Sequence, residues 1–216
     1  MIGSIRENLI RLTRKRDLHE IMCRQTLDGI LRKEGIEPAL SPGGWAASSS
    51  LLMIIARLVT ELPIKNVLEL GCGQTTMLLA ALAPIRDFKL TTIEHNADWA
   101  HFISDRTGHD IDLAALTFDG NGYVLNDLPG PFDLIIVDGP PGTGTKWSRS
   151  GAVDVVGRHH AYPCAIVLDD THRRGEAATA AAIANETPFM VKEVRSTSWQ
   201  TVLAAPQWAT MVRSLA

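Results

Sequence analysis

Three carboxylates draw attention by where they fall. Asp138 follows the apolar run Leu134-Ile135-Ile136-Val137, and Asp169 and Asp170 follow the run Ala165-Ile166-Val167-Leu168. Continuous apolar runs of this length suit strands covered on both faces of a parallel sheet. If those two strands are neighbours, the three acids converge at one sheet edge. Like charges held together raise their own pKa values unless a cation joins them, and an oxygen-only donor set suits Mg²⁺ or Ca²⁺. In the alternative reading Asp138 orients a ligand while Asp169 and Asp170 cap the following loop. His172 is a candidate general base, because imidazole titrates near neutral pH; its bland counterpart is a loop histidine bonded to Asp170. Lys146 is a second candidate, and Arg149, Arg173 and Arg174 are candidate binders of an anionic acceptor.

A second constellation lies earlier. Residues 67–76 read Val67-Leu68-Glu69-Leu70-Gly71-Cys72-Gly73-Gln74-Thr75-Thr76: a short strand, a tight turn and a helix start. Glycines let a ligand approach the backbone, and the helix N-terminus offers free N–H groups. Glu94 ends the next predicted strand, where a carboxylate can accept two ribose hydroxyls. The dinucleotide fingerprint requires glycine or alanine at its third site, and Thr76 stands there. A second loop, Gly139-Pro140-Pro141-Gly142-Thr143-Gly144-Thr145-Lys146, imitates a phosphate loop. Its lysine is one place late, and Trp147 occupies the position of the magnesium-binding hydroxyl.

The elements that must position these residues alternate. Apolar spacing predicts two helices over 4–34 and a buried helix from about 51 to 62, capped at Ser48–Ser50 and stopped by Pro63. Strands are predicted at 66–70, 89–94, 132–138 and 165–169, with a weak one near 113–117. Helices follow at 75–82, 97–107, 150–158 and 176–184. Segments 189–195 and 199–204, joined by Ser196-Thr197-Ser198, read as a hairpin. The expected fold is α/β: a doubly wound, mostly parallel, seven-stranded Rossmann-like sheet with a C-terminal antiparallel hairpin and an N-terminal helical lid. Residues 1–46 form the lid or arm, a candidate homodimer contact, and 47–216 the main domain. Ligands of such sheets bind beyond the carboxyl ends of the strands.

Composition narrows the classes. The net charge of −3 argues against a general nucleic-acid binder. Cys23, Cys72 and Cys164 form neither a metal pattern nor an even framework, so a reducing cytoplasm is expected. No apolar run is long enough to span a membrane. The Arg-rich first 16 residues read as a helix rather than a signal peptide.

Glu69-Leu70-Gly71-Cys72-Gly73 resembles the first motif of the class I S-adenosylmethionine-dependent methyltransferases, and the resemblance extends over most of the chain. It implies that S-adenosylmethionine lies on Glu69, Gly71, Gly73 and Thr75, with Glu94 on the ribose beside His95. It further implies that Asp119 lies near the adenine amine and that Asp138 borders donor and acceptor. The closing hairpin is a feature of the same family. The acid layout is similar to that of catechol and caffeoyl-CoA O-methyltransferases, which hold a divalent metal on Asp and then Asp-Asn. It is closer still to macrolide-sugar O-methyltransferases, which use Asp and then Asp-Asp. That resemblance implies Mg²⁺ on Asp138, Asp169 and Asp170, and a small-molecule hydroxyl as acceptor. Lys146 departs from the catechol-type base by lying eight positions beyond Asp138, past two prolines. The stretches Asp138-Gly-Pro-Pro-Gly and Asp170-Thr-His172-Arg173 also look distantly like glucuronoxylan methyltransferases. The Gly43-Gly44-Trp45-Ala46-Ala47-Ser48 loop sits where the macrolide-sugar enzymes cover the methyl donor and also resembles that of uncharacterised bacterial methyltransferases, which implies Trp45 at the donor, with cover of the acceptor or packing of the lid as the other readings. Two other classes stay open: an S-adenosylmethionine enzyme that transfers another group or cyclises the sulfonium, and a non-catalytic binder of it.

Overall fold

The computed structural model describes residues 2–41 and 46–215, the side chains of 2–12 and 14 excepted. The elements run α1 (Ile2–Glu34), α2 (Ser49–Glu61), β1 (Asn66–Leu70), α3 (Gln74–Arg86), β2 (Lys89–Glu94), α4 (Ala97–Thr107), β3 (Asp112–Leu113), β4 (Phe132–Val137), α5 (Gly151–His159), β5 (His160–Leu168), α6 (Arg174–Glu186), β6 (Met190–Arg195) and β7 (Trp199–Ala204). A 3₁₀ turn at Pro206–Trp208 and the short α7 (Ala209–Arg213) follow. The sheet has seven strands in the order β3-β2-β1-β4-β5-β7-β6. Only β7 and β6 bring antiparallel pairings, as expected for a closing hairpin.

Period-2 alternation divides the core between the two faces of this sheet. Leu134, Ile136, Ala165 and Val167 face α2, α3 and the C-terminal half of α1, alongside Leu27, Leu51, Ile55 and Leu79. Ile135, Val137, Ile166 and Leu168 face α5 and α6, alongside Val155, Val156 and Ile183. Both faces are covered, which is why β4 and β5 carry no polar alternation. Ser48 caps α2 by accepting from Leu51 N at 3.2 Å. Glu20 of α1 also accepts from the Ser49 and Ser50 amides at that helix start.

Three elements differ from the sequence expectation. Residues 2–34 form one helix rather than two, because the polar stretch around Thr13–Arg16 contains no Gly or Pro and its residues favour helix. β3 is two residues long and exposed, and the expected continuation is replaced by a single bridge between Leu116 and Tyr123. β5 begins at His160, so the His159-His160 pair straddles a helix end and a strand start.

Candidate functional site

Register sets the site. Leu70 pairs with Ile93 and with Val137, and Val137 pairs with Leu168. The next residues on the four strands are therefore Glu94, Gly71, Asp138 and Asp169, in one row across the carboxyl edge. The ladder extends into that row: Gly71 N donates to Ile93 O at 2.9 Å, Asp138 N to Leu70 O at 3.0 Å, and Asp169 N to Val137 O at 3.1 Å.

The turn after β1 is held from two sides by carboxylates. Glu69, fully buried, accepts at Oε2 from Thr76 Oγ1 (2.8 Å) and Thr92 Oγ1 (2.9 Å). Thr76 Oγ1 in turn accepts from Gly73 N at 2.9 Å. The threonine that spoils the dinucleotide fingerprint is thus the clamp between turn and strand. Burial pushes the Glu69 carboxyl up to about 7, although the Thr75, Thr76 and Thr92 hydroxyls pull it down. Glu94 accepts at Oε2 from Cys72 N (3.1 Å), and at Oε1 from His95 N (2.8 Å) and Asn96 N (2.9 Å). His95 Nδ1 lies 2.6 Å from the same Oε1. Trp99 closes the outer side by donating its indole N–H to Cys72 O at 2.8 Å.

Gly71 has φ +92°, and a Cβ there would lie 2.7 Å from Gly139 N. A Cβ on Gly139 would meet Gly71 Cα at 2.6 Å and the Tyr123 hydroxyl. The two loops therefore cross backbone to backbone, and neither position tolerates a side chain. Gly73 differs: nothing lies within 4 Å of its missing Cβ, which leaves room for a ligand to approach. Gln74 accepts from Ser41 N (2.7 Å) and donates to Ser41 O (2.5 Å). The segment leading toward residue 42 is thereby tied to the start of α3. Trp45 itself lies outside the described residues.

Across the row, oxygens of Asp138, Asp169 and Asp170 lie within 4.8 Å of one another. Asp138 keeps 25% of its side-chain exposure. Asp169 Oδ1 accepts from Gln200 Nε2 (2.8 Å) and Ser198 Oγ (3.1 Å). Both carboxyls are pushed up, first by burial and then by a neighbouring aspartate. Arg149 is buried beside them and held in place by carbonyls: Nε donates to Pro140 O (3.1 Å), and Nη1 to Val137 O (3.4 Å) and Asp169 O (3.2 Å). Its Nη2 stands 3.5 Å from both Asp138 Oδ1 and Asp170 Oδ2. Arg149 is therefore an internal counter-charge rather than an arginine at the mouth. Arg149 and Asp170 have φ near +60°, a left-handed conformation that non-glycine residues adopt at a cost and that clusters at functional sites. Arg149 and Arg173, the latter 2.9 Å from Asp170, set two guanidiniums against these three carboxylates, which leaves one negative charge without a paired cation when all three are ionised. The oxygen-only donors and that surplus both fit a hard divalent cation.

Of the remaining predicted residues, Arg173 joins this group through Asp170, whereas Asp119, Lys146 and His172 stand apart from it. Asp119 is exposed and spends its carboxylate on its own loop, accepting from Thr117 Oγ1 (2.7 Å) and from Asn121 Nδ2 (3.0 Å) and N (3.2 Å). Those bonds hold its carboxyl down to about 2. Asn121 Oδ1 also accepts from Thr143 Oγ1 (2.9 Å), joining that loop to the one after β4. Lys146 is exposed, with its ammonium over the Trp147 ring. His172 is exposed and makes no hydrogen bond among the described residues, to Asp170 or otherwise. Arg173 is paired with Asp170 at 2.9 Å. Sequence reasoning did not find Tyr123 or Gln200. The only signal for Gln200 was a polar residue inside an otherwise buried strand.

No protein-family model matches the chain, and no curated protein matches it. Solved structures do. A precorrin-6y C5,15-methyltransferase from Geobacter metallireducens superposes with a TM-score of 0.55 at 14% identity, over 77% of this chain and 94% of that one. A methyltransferase from Podospora anserina, bound to S-adenosylhomocysteine, gives 0.55 at 16% identity over 88% and 95%. A methyltransferase from Pyrococcus furiosus gives 0.54 at 16% identity over 87% and 96%. The fold is that of the class I methyltransferases, with the sheet order and closing hairpin expected from the sequence.

Proposed function

We propose that this protein is an S-adenosylmethionine-dependent methyltransferase that acts on a hydroxyl of a small-molecule acceptor. The observation that carries the reading is the glycine turn after β1. It is clamped by Glu69 through Thr76, bordered by Glu94, and open at Gly73 within a class I fold. Gly71 makes the tight turn, the open side at Gly73 admits the adenosyl group, and Glu94 accepts from the ribose with the capacity left at Oε2. His95 and Thr75 flank the donor, and Asp119 borders its adenine end.

The reaction is an in-line displacement. The acceptor oxygen bonds the methyl carbon as the carbon–sulfur bond breaks, the bonding pair stays on sulfur, and S-adenosylhomocysteine leaves neutral. Alignment of oxygen, carbon and sulfur is worth up to roughly 7–11 kcal/mol. Asp138, partly exposed at the end of β4, takes the acceptor proton where no metal is bound; His172 and Lys146 on the flanking loops are the alternative bases. Asp138, Asp169 and Asp170 would hold Mg²⁺, which when bound supplies a Lewis acid that lowers the pKa of a coordinated hydroxyl. The fit of the donor set and its uncompensated charge support that assignment.

Calorimetry with S-adenosylhomocysteine tests the donor site. The wild type is expected to bind it and not NAD, and Glu94→Ala to bind at least about tenfold more weakly, the scale of one charged hydrogen bond. Stronger affinity for NAD than for S-adenosylhomocysteine would sink the assignment. Formation of methylthioadenosine instead of S-adenosylhomocysteine would move the chemistry to transfer of another group. Tight binding without turnover on any acceptor would make the protein a binder.

A further inference from the structure

Tyr123 follows the polar loop after β3, bridges back to Leu116, and sends its ring into the core between Ile93, Leu70 and Val137. Its hydroxyl oxygen lies buried at the crossing of the two glycine loops, against Gly139. The residue is 8% exposed, and among the described residues its oxygen has no hydrogen-bond partner. Its charged and polar neighbours are Glu94, Arg149, Cys72 and Asp138, and the His95 ring centroid is 6.4 Å away. Every one of these belongs to the donor side of the row or to its border with the acids. A buried phenol with nothing to bond is costly, and native interiors rarely keep one without a reason.

We propose that Tyr123 is a donor-pocket residue whose hydroxyl, unpaired in the free protein, hydrogen-bonds the ribose edge of the bound sulfonium nucleoside between the β1 turn and the β4 end. The inference rests on the donor reading above and adds a residue to it. Burial, followed by the Glu94 charge, pushes the phenol up, so the group stays protonated and both donates and accepts. Glu94 only accepts, so the two would bond the ribose in complementary senses.

The test separates the residue from the reading. Wild type and Tyr123→Phe are titrated calorimetrically with S-adenosylhomocysteine and with adenosine, and each free protein is melted. Removing an unpaired buried hydroxyl should leave the melting temperature of free Tyr123→Phe equal to or above that of wild type. Affinity for both ligands should fall about five- to tenfold. Equal affinities in the two proteins would overturn the inference while leaving the donor site standing. A lower melting temperature of the free variant would show that the hydroxyl already has a partner, and would also overturn it. Loss of affinity for S-adenosylhomocysteine without loss for adenosine would move the contact off the ribose and overturn the assignment as stated. Failure of wild type itself to bind S-adenosylhomocysteine would instead remove the donor reading.

Discussion

Glu69 and Glu94 hold the same turn through different donors. Glu94 receives three backbone N–H groups, whereas Glu69 receives only hydroxyls and is wholly buried, which pushes its carboxyl from 4.5 up to about 7. Between those values the folded chain keeps a proton that the unfolded chain has released, so this group makes stability fall as pH rises through that window and adds no further change above it. Glu69→Gln keeps the shape and removes the titration. Its stability relative to wild type should therefore grow from pH 5 to pH 8, by at most about 3 kcal/mol at 1.36 kcal/mol per unit. Urea unfolding of both proteins at the two pH values measures it, and a difference that does not change with pH would show that Glu69 carries no such proton. The residue types at this turn were legible because glycine and acid spacing is local. Thr76 was read only as a mismatch, since its use depends on Glu69 seven positions earlier. Arg149 was misread for the same kind of reason: a sequence shows an arginine near acids but not the three carbonyls that draw it inside.

At the scale of elements, the hairpin does more than close the sheet. Gln200 on β7 donates to Asp169 and to Ser198 Oγ (2.6 Å), and accepts from Ser50 Oγ at 3.1 Å. Ser50 also meets Ser196 Oγ at 2.6 Å and Ser48 Oγ at 2.9 Å. One buried amide therefore joins the end of β5, the hairpin turn and the N-cap of α2. Gln200→Leu leaves those groups without partners and should cost about 1–3 kcal/mol. Glu193→Ala, on the exposed face of β6, should change stability by no more than about 0.5 kcal/mol. Guanidinium unfolding checks both, and equal effects would mean that the network contributes nothing beyond ordinary hairpin packing. The hairpin itself was legible from two apolar runs around a three-residue polar turn. Its serines were not, because a network among residues 48, 50, 196, 198 and 200 has no local pattern. The short β3 failed for a related reason: at the sheet edge Leu113 pairs with Glu94 yet stays exposed, so the pairing buries little apolar surface.

Taken as one molecule, the chain carries a net charge of only −3, but the sheet concentrates its acids. Alternating strands and helices made the topology readable, and with it the convergence of Asp138, Asp169 and Asp170. The row that puts Glu94 and Gly71 beside them depends on register, which the pattern left open. That row places the glycine turn and the acid group on adjoining strands, so a cation at the acids is a test of the whole arrangement. Three carboxylates facing the guanidiniums of Arg149 and Arg173 carry one negative charge in excess, and both Asp138 and Asp169 are pushed up, first by burial and then by a neighbouring aspartate. A divalent cation that binds only the folded state at ten times its Kd adds about 1.4 kcal/mol, or roughly 3–6 °C in Tm for a chain of this length. Mg²⁺ titrated into chelator-treated wild type should produce such a rise, reversed by EDTA, at neutral pH and constant ionic strength. Asp169→Asn keeps an acceptor oxygen for Gln200 and Ser198 but removes one charge, so it should melt no lower than wild type without Mg²⁺ and lose most of the response to it. An equal rise in the variant would place the cation elsewhere on the surface. No rise in wild type with either Mg²⁺ or Ca²⁺ would leave Arg149, Arg173 and protons to compensate these acids and would remove the metal branch.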